Sequence, residues 1–362
     1  MAKSVELQHT TVETVDRWAA IVIFITALIG VLVNGFIGIY IHRLPILRNS
    51  FGRLLQLQAI GDCVFGCVWA FYFAPTLFFD IRPFQDLAIA SRFAQLCLIC
   101  YDISIYSHLI ISINRFISLY FPTHYSGIFT DKFTNGLVIF TVVFSFAFSW
   151  FLVAVDCLMG FSIRRWMLDY QLDRCNLIYV HYAEFWRGLI LIAIFAVVNA
   201  LTFTRMHFVN NRKRIQGQST YESIQQMKRR AVERTFIQQV TLQGIIYAIE
   251  LITYFYVAVA FPVDDETIQT DSNRWPNFLL TTYAWISVHT LDGLVTLAFN
   301  RQFRRVLTTP FRSHSKTSDG NMKTHSHLPV SGQSHASRTT SSSGLKNETL
   351  LKVRGVELGE QL

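Results

Sequence analysis

HLIISINRFISLYFPTHYSGIFT, residues His108 to Thr130, decides how the chain is read. It is a long apolar run that closes on a cation, Arg115, followed by aromatics and a proline. A charge within hydrocarbon is costly, so such an arginine belongs at a membrane interface or against a polar interior. The runs on either side settle which.

Of the 362 residues, 51% are hydrophobic and only 15% charged. An ordinary soluble domain carries about 25% charged residues. Phenylalanine occurs 31 times, which suits lipid-facing helices. The net charge of +8 sits in short loops between apolar runs. That is the topology signal of a membrane protein and excludes a nucleic-acid groove binder. The opening MAKSVELQHTTVETVDRW is polar and lacks a basic segment leading into a short apolar core, so the first apolar run is expected to stay as a signal-anchor.

A membrane helix needs about 20 mostly apolar residues. Seven runs qualify: Trp18 to Ile41, Leu54 to Phe79, Phe93 to Phe121, Thr134 to Leu158, Ala183 to Phe208, Thr235 to Val263 and Asn277 to Phe299. The expected fold class is all-α, a polytopic seven-helix bundle in the lipid bilayer. The expected organisation is an extracellular segment over 1–17, a membrane domain over 18–300 and a cytoplasmic segment over 301–362. Within the last, NRQFRRVLTTPF places Phe303, Val306 and Leu307 on one helix face and its arginines on another, the pattern of a short amphipathic helix on the membrane. The Ser/Thr/His-rich remainder is expected to be disordered.

Loop charges orient the bundle. The first loop holds Arg43, Arg48 and Arg53 without an acid, and the fifth holds Arg212, Lys213, Arg214, Lys228, Arg229 and Arg230. The sixth, VDDETIQTDSNR, is acidic. Basic loops face the cytoplasm, so the N-terminus is expected outside and the C-terminus inside.

Polar residues within spans are functional candidates. Gly30 and Asn34 share a face of the first span. With Asp62 and Asp292, Asn34 is expected to form a buried polar cluster, the alternative being packing glue between helices. Tyr101, Asp102, Tyr106, Tyr247, Glu250, Tyr254, Trp285 and His289 are candidates to line a cavity, with Glu184 and Trp186 near the outside. Each alone reads more readily as a satisfied core residue than as a ligand contact, and together they argue for a polar-lined cavity. No cofactor or metal is expected, since His108, His181, His207 and His289 show no HExxH-like spacing. Cys97 and Cys100 have CxxC spacing inside an apolar run, which reads as helix packing. Cys157 and Cys175 flank the outer loop LMGFSIRRWMLDYQLDR. A bridge between them, a Cys97–Cys175 bridge or two free thiols all remain open.

Several positions resemble the rhodopsin-like G-protein-coupled receptors. Gly30 to Asn34 is similar to the first-span motif, and Leu57, Ala59 and Asp62 to the second. Asn114-Arg115-Phe116 stands where that superfamily has Asp-Arg-Tyr, Trp150 resembles its fourth-span tryptophan, and Asp292-Gly293 stands for Asn-Pro. A closer resemblance is to the nematode serpentine receptor class x family. NSFGRLLQLQAI, YDISIYSHLIISINRFISLYFPTHYSGIF, FIQQVTLQGIIYAIELITYF and FLLTTYAWISVHTLDGLVTLAFN are similar to its recurring segments, over roughly Leu28 to Asn300.

The resemblance implies a chemoreceptor-like protein, not an enzyme, in the plasma or ciliary membrane. It would bind a small molecule or peptide in an outer cavity and activate a heterotrimeric G protein through Asn114, Arg115 and Phe116. Asn34, Asp62 and Asp292 would couple the two ends, and a phosphorylated tail would recruit an arrestin-like partner. The class x pattern also implies the Cys157–Cys175 pairing. Asn114 replaces an acid, so an ionic lock cannot form in the usual way, although a neutral amide can still hydrogen-bond the guanidinium. The sixth span lacks Trp-x-Pro, with Pro262 only at its outer end, and Gly293 permits a bend where proline is common. The alternatives are a transporter or an intramembrane enzyme. A transporter would bring inverted repeats, and none is visible. Non-reducing peptide mapping should recover a Cys157–Cys175 linked peptide. Two free thiols, or a Cys97–Cys175 link, would reject that pairing.

Overall fold

The structure, a computed structural model, describes residues 2–81, 87–155, 157–163, 165–170, 184–215, 220–257, 260 and 273–308. Cys175, His181, the acidic stretch before Asn273 and the tail beyond Thr308 lie outside the described residues. Six described helices are long and apolar enough to cross a membrane: Thr14–Arg43, Ser50–Phe79, Leu87–Tyr120, Asp131–Ala154, Glu184–Phe208 and Arg234–Val257. A seventh runs without interruption through Arg274–Phe278, Leu279–Tyr283 and Ala284–Phe299, and is more polar. Helices are the expected solution, because each backbone group is then satisfied within its own segment.

Local signals set the ends. The second span starts where the Asn49 side chain accepts from the Gly52 amide at 3.0 Å. The fourth starts where Thr130 accepts from Phe133 at 3.2 Å, with Asp131 in the first turn. Both caps satisfy amide donors that a helix start leaves open. The second span stops at Asp80, in the left-handed region at φ 50°. The first helix is longer than expected, since the polar opening continues it from Ala2. A short helix, Pro122–Ile128, lies between the third and fourth spans, and Arg301–Thr308 forms the amphipathic helix after the seventh. Phe303 of that helix is fully buried and packs edge-on against Phe36 at 6.1 Å, while Leu307 stays exposed.

Burial divides the spans. In the most apolar window of the second and third spans 61% is buried, against 22% in the fourth and fifth, so the latter pair is peripheral. Phe140, Val143, Phe146 and Trp150 of the fourth span are exposed apolar groups that suit lipid. Two apolar clusters fill the interior. One contains Phe65, Trp69, Phe73, Cys97, Cys100 and Trp285, and the other Ile37, Phe51, Leu54, Ile111, Phe236 and Phe303. Polar side chains occupy the level between them.

One element was not expected. The loop after the fourth span is a hairpin, β1 (Met159–Ser162) antiparallel to β2 (Met167–Tyr170), with Met159 opposite Tyr170. An isolated two-stranded hairpin is marginal in water. This one is anchored by Trp166, which sits at φ 52° and is wholly buried. Its ring packs on Trp275 and Phe278, and its indole N–H donates to Asp16 at 2.8 Å. Arg274 also reaches Asp16, at 2.6 Å, donates to the Ile163 carbonyl and lies 3.7 Å over the Trp166 ring. The hairpin is thus tied to the starts of the first and seventh spans.

The first and seventh spans approach closely through glycine. A Cβ on Gly30 would stand 2.7 Å from Thr290 Oγ1, and one on Gly293 would stand 2.5 Å from Asn34 Oδ1. Gly293→Ala should therefore displace Asn34 and destabilise the bundle by about 1–3 kcal/mol. A clear drop in thermal unfolding midpoint in detergent is the expected reading, and an unchanged midpoint would contradict this packing.

Candidate functional site

Three layers carry candidate chemistry. At the hairpin end an open cavity of about 550 Å³, its mouth included, lies between the third, fifth, sixth and seventh spans. Tyr101, Asp102, Glu250, Tyr254 and Trp285 line it, as expected from sequence. Glu184 and Arg187 of the fifth span, Phe148 of the fourth, Met159 of β1, Leu98 of the third and Leu251 and Phe255 of the sixth complete the described wall. Arg187 pairs with Asp102 at 2.7 Å, donates to the Tyr106 hydroxyl at 2.8 Å and covers the Phe148 ring at 4.3 Å. Tyr106, expected in the lining, does not line the cavity and instead accepts from Arg187 behind its wall. The Tyr170 hydroxyl of β2 donates to Glu184 at 2.7 Å. Burial, with the Glu184 carboxylate beside it, pushes that hydroxyl well above the usual tyrosine range, so it acts as a donor throughout the physiological pH range. Sequence reading missed Arg187, although the rule that singled out Arg115 applies equally to a cation opening an apolar run.

The cavity is bordered by helical irregularity. π-helical turns occur at Thr253–Val257, carrying Tyr254 and Phe255, and at Leu279–Tyr283, just before Trp285. Such turns are frequent at functional sites and bend helices without proline. The sixth span thus has a bend device where Trp-x-Pro is missing.

Tyr247 and His289 do not line this cavity. They are drawn one layer deeper by polar partners. His289 Nδ1 stands 2.7 Å from Asp62 Oδ1, and Tyr247 shares a 2.7 Å hydrogen bond with Ser104. Asp292 is the second centre of this layer: the Gln58 amide donates to its Oδ2 at 2.6 Å, and His108 Nε2 stands 2.6 Å from the same oxygen. Asn34 donates to the His289 carbonyl at 2.9 Å. Gln243 donates to the Asp292 carbonyl and to Thr296 Oγ1, both at 3.1 Å. Asn34, Asp62 and Asp292 therefore do share one layer, but each carboxylate is matched to its own histidine. His108 and Gln58 are the members that sequence spacing did not reveal, because they meet only through the tertiary fold. Among the described residues no group of three or more His, Cys, Asp or Glu is arranged to hold a metal.

Arg115 sits at the opposite end, half-buried. Its guanidinium lies 3.8 Å over the Phe51 ring and 4.8 Å from that of Phe236, two rings themselves 4.7 Å apart. Cation–π contacts of this kind contribute about 0.5–2 kcal/mol. Asn114 does not bond the guanidinium, as its amide could have done. It is completely buried and donates to the Tyr125 hydroxyl at 3.1 Å, because successive helical residues point about 100° apart. Phe116 stacks on Tyr120 at 4.4 Å, away from Arg115. Cys157 is disulfide-bonded, and its expected partner Cys175 lies outside the described residues. Cys97 is free, which removes the Cys97–Cys175 alternative.

Residues 24–300 match the family model of the serpentine type 7TM GPCR chemoreceptor Srx. The chain is similar to Serpentine receptor class X 45 of Caenorhabditis elegans, 62% identical over 315 residues that cover 86% of this chain and 85% of that protein. It is also similar to Serpentine receptor class X-43 of Caenorhabditis elegans, 22% identical over 307 residues, 82% of this chain and 88% of that one. In fold it resembles the crystal structure of squid rhodopsin, with TM-score 0.65 and 14% identity, covering 83% of this chain and 81% of that one. The protein is a multi-pass membrane receptor of the seven-helix type. The chain belongs to the serpentine receptor class x family of G-protein-coupled chemoreceptors.

The polar layer makes its own prediction. Asp62→Leu strips the buried His289 imidazole of its carboxylate partner and should cost about 1–3 kcal/mol. Asp62→Asn keeps one hydrogen bond and should cost less. Unfolding midpoints of the two variants in detergent check the order, and equal midpoints would argue against the pairing.

Proposed function

We propose that this receptor binds a small molecule or peptide in the hairpin-end cavity and activates a heterotrimeric G protein at the Arg115 end. The carrying observation is that one helix serves both ends. The sixth span supplies Glu250 and Tyr254 to the cavity and Phe236 to the cover over Arg115. A ligand that favours an outward setting of this span draws Phe236 away and exposes the guanidinium. The effect is bounded by the ligand's differential affinity for the two settings.

The loop charges put the hairpin end and the N-terminus outside and the Arg115 end and C-terminus in the cytoplasm. Domain limits of 1–17, 18–300 and 301–362 follow. Asn34, Asp62 and Asp292, with their histidine partners, form the coupling layer between the ends. Phe51 and Phe236 cover the arginine and in this way hold the resting state. Asn114 supports this indirectly by fixing Tyr125 of the short helix. The Ser/Thr-rich tail, once phosphorylated, would engage an arrestin-like partner, and the plasma or ciliary membrane is the proposed location.

The test needs no known ligand. Phe236→Ala should raise basal G-protein activation several-fold in a cell assay at equal surface expression. Adding Arg115→Ala should abolish that gain and any ligand response while leaving expression intact. Undiminished signalling in the double variant would overturn the role given to Arg115.

A further inference from the structure

Among the described residues four charged side chains face the cavity, and three of them are engaged. Arg187 and Asp102 form an ion pair, and Glu184 accepts from Tyr170. Glu250 is different. It is 6% exposed, lines the cavity, and its Oε2 has no hydrogen-bond partner among the described residues. Among the described residues no cation pairs with its carboxylate. A buried carboxylate without a partner is costly, so a group that approaches with charge and donors gains by relieving it.

The surroundings narrow the chemistry of that group. The described wall holds three carboxylates and one guanidinium, and the guanidinium is already committed to Asp102, Tyr106 and Phe148. An anion entering here would meet a surplus of like charge. Tyr101, Tyr254, Phe255 and Trp285 add aromatic walls, with the Tyr101 and Trp285 rings 5.9 Å apart and edge-on, and Tyr254 and Phe255 4.9 Å apart. Aromatic faces around a carboxylate favour an ammonium group over a neutral one. An ammonium also carries the N–H donors that Oε2 lacks.

We infer that the cavity takes a small protonated amine with Glu250 as its counter-ion and the surrounding aromatic rings as the cage for its cationic head. This rests on the hairpin-end cavity being the ligand site. It also gives the sixth span a reason to move, because the counter-ion lies on the same helix as Phe236.

Full-length receptor purified in detergent supplies the test. A series of primary amines from methylamine to phenethylamine, each paired with the alcohol of the same carbon skeleton, is titrated by thermal stabilisation. Phenethylamine should bind at least tenfold more tightly than 2-phenylethanol. Glu250→Gln should erase that difference, yet leave the unfolding midpoint of the free receptor unchanged or raised, since no partner is lost. Filling the cavity with Leu251→Trp, or with Phe148→Trp where the first does not fold, should abolish binding of both compounds. Equal binding of amine and alcohol, both lost on filling, would overturn the amine preference while leaving the cavity as the ligand site. Amine preference that survives Glu250→Gln would overturn the counter-ion. No binding by any member of the series, or binding indifferent to filling, would overturn both this inference and the cavity reading.

Discussion

Asp292 and Asp62 must be satisfied in a bundle that faces lipid on its outside, and this constraint ties the spans together. The two carboxylates draw His108, Gln58 and His289 from three different helices, while Asn34 and Gln243 bind the backbone of the seventh span from either side. Interhelical hydrogen bonds in membrane proteins average only about 0.6 kcal/mol each. The layer therefore does less for total stability than for register. A rotation of any of these helices would leave a charged or amide group facing the apolar cluster above or below it, and such a group is costly without a partner. Glycine completes the fit, because only a side chain as small as that of Gly293 lets Asn34 reach the seventh span.

This layer separates two regions of opposite character. Toward the hairpin the interior opens into a cavity with paired and unpaired charges among aromatic rings. Toward the other end it closes over Arg115 with Phe51 and Phe236. The third and sixth spans pass through all three levels, so in the proposed mechanism they are the elements that would carry a change from one end to the other. The π turn at Thr253–Val257 lies where the sixth span lines the cavity, so the irregular part of that helix adjoins the proposed ligand site. The hairpin over it is fixed through Trp166, Arg274 and Asp16.

The seven spans were legible because about 20 apolar residues in a row have few other uses. Intramembrane polar residues were legible for the same reason: Asn34, Asp62 and Asp292 are conspicuous in an apolar run, and they do meet in one layer. Their individual partners were not legible. Nothing in the spacing of Gln58 or His108 says that both will bond the same oxygen of Asp292, since the three residues come from separate helices. His289 and Tyr247 were placed in the cavity because polarity alone cannot tell the level at which a side chain will find its partner. The hairpin was missed because Met159–Ser162 and Met167–Tyr170 are too short to announce strands. Its stability comes from Trp166 packing on distant residues, which is a tertiary effect.

The central claim is that the polar layer holds the setting of the sixth span over Arg115. Spin labels at Ile128, on the short helix tied to the third span, and at the exposed Arg234, near the start of the sixth, report that setting as a distance distribution. Asp292→Asn lies in the layer, in neither labelled segment, and weakens the bonds from His108 and Gln58. The account predicts a shift of the distribution toward longer distances in the variant. A distribution superimposable on that of the unsubstituted receptor, at equal folded fraction, would contradict it.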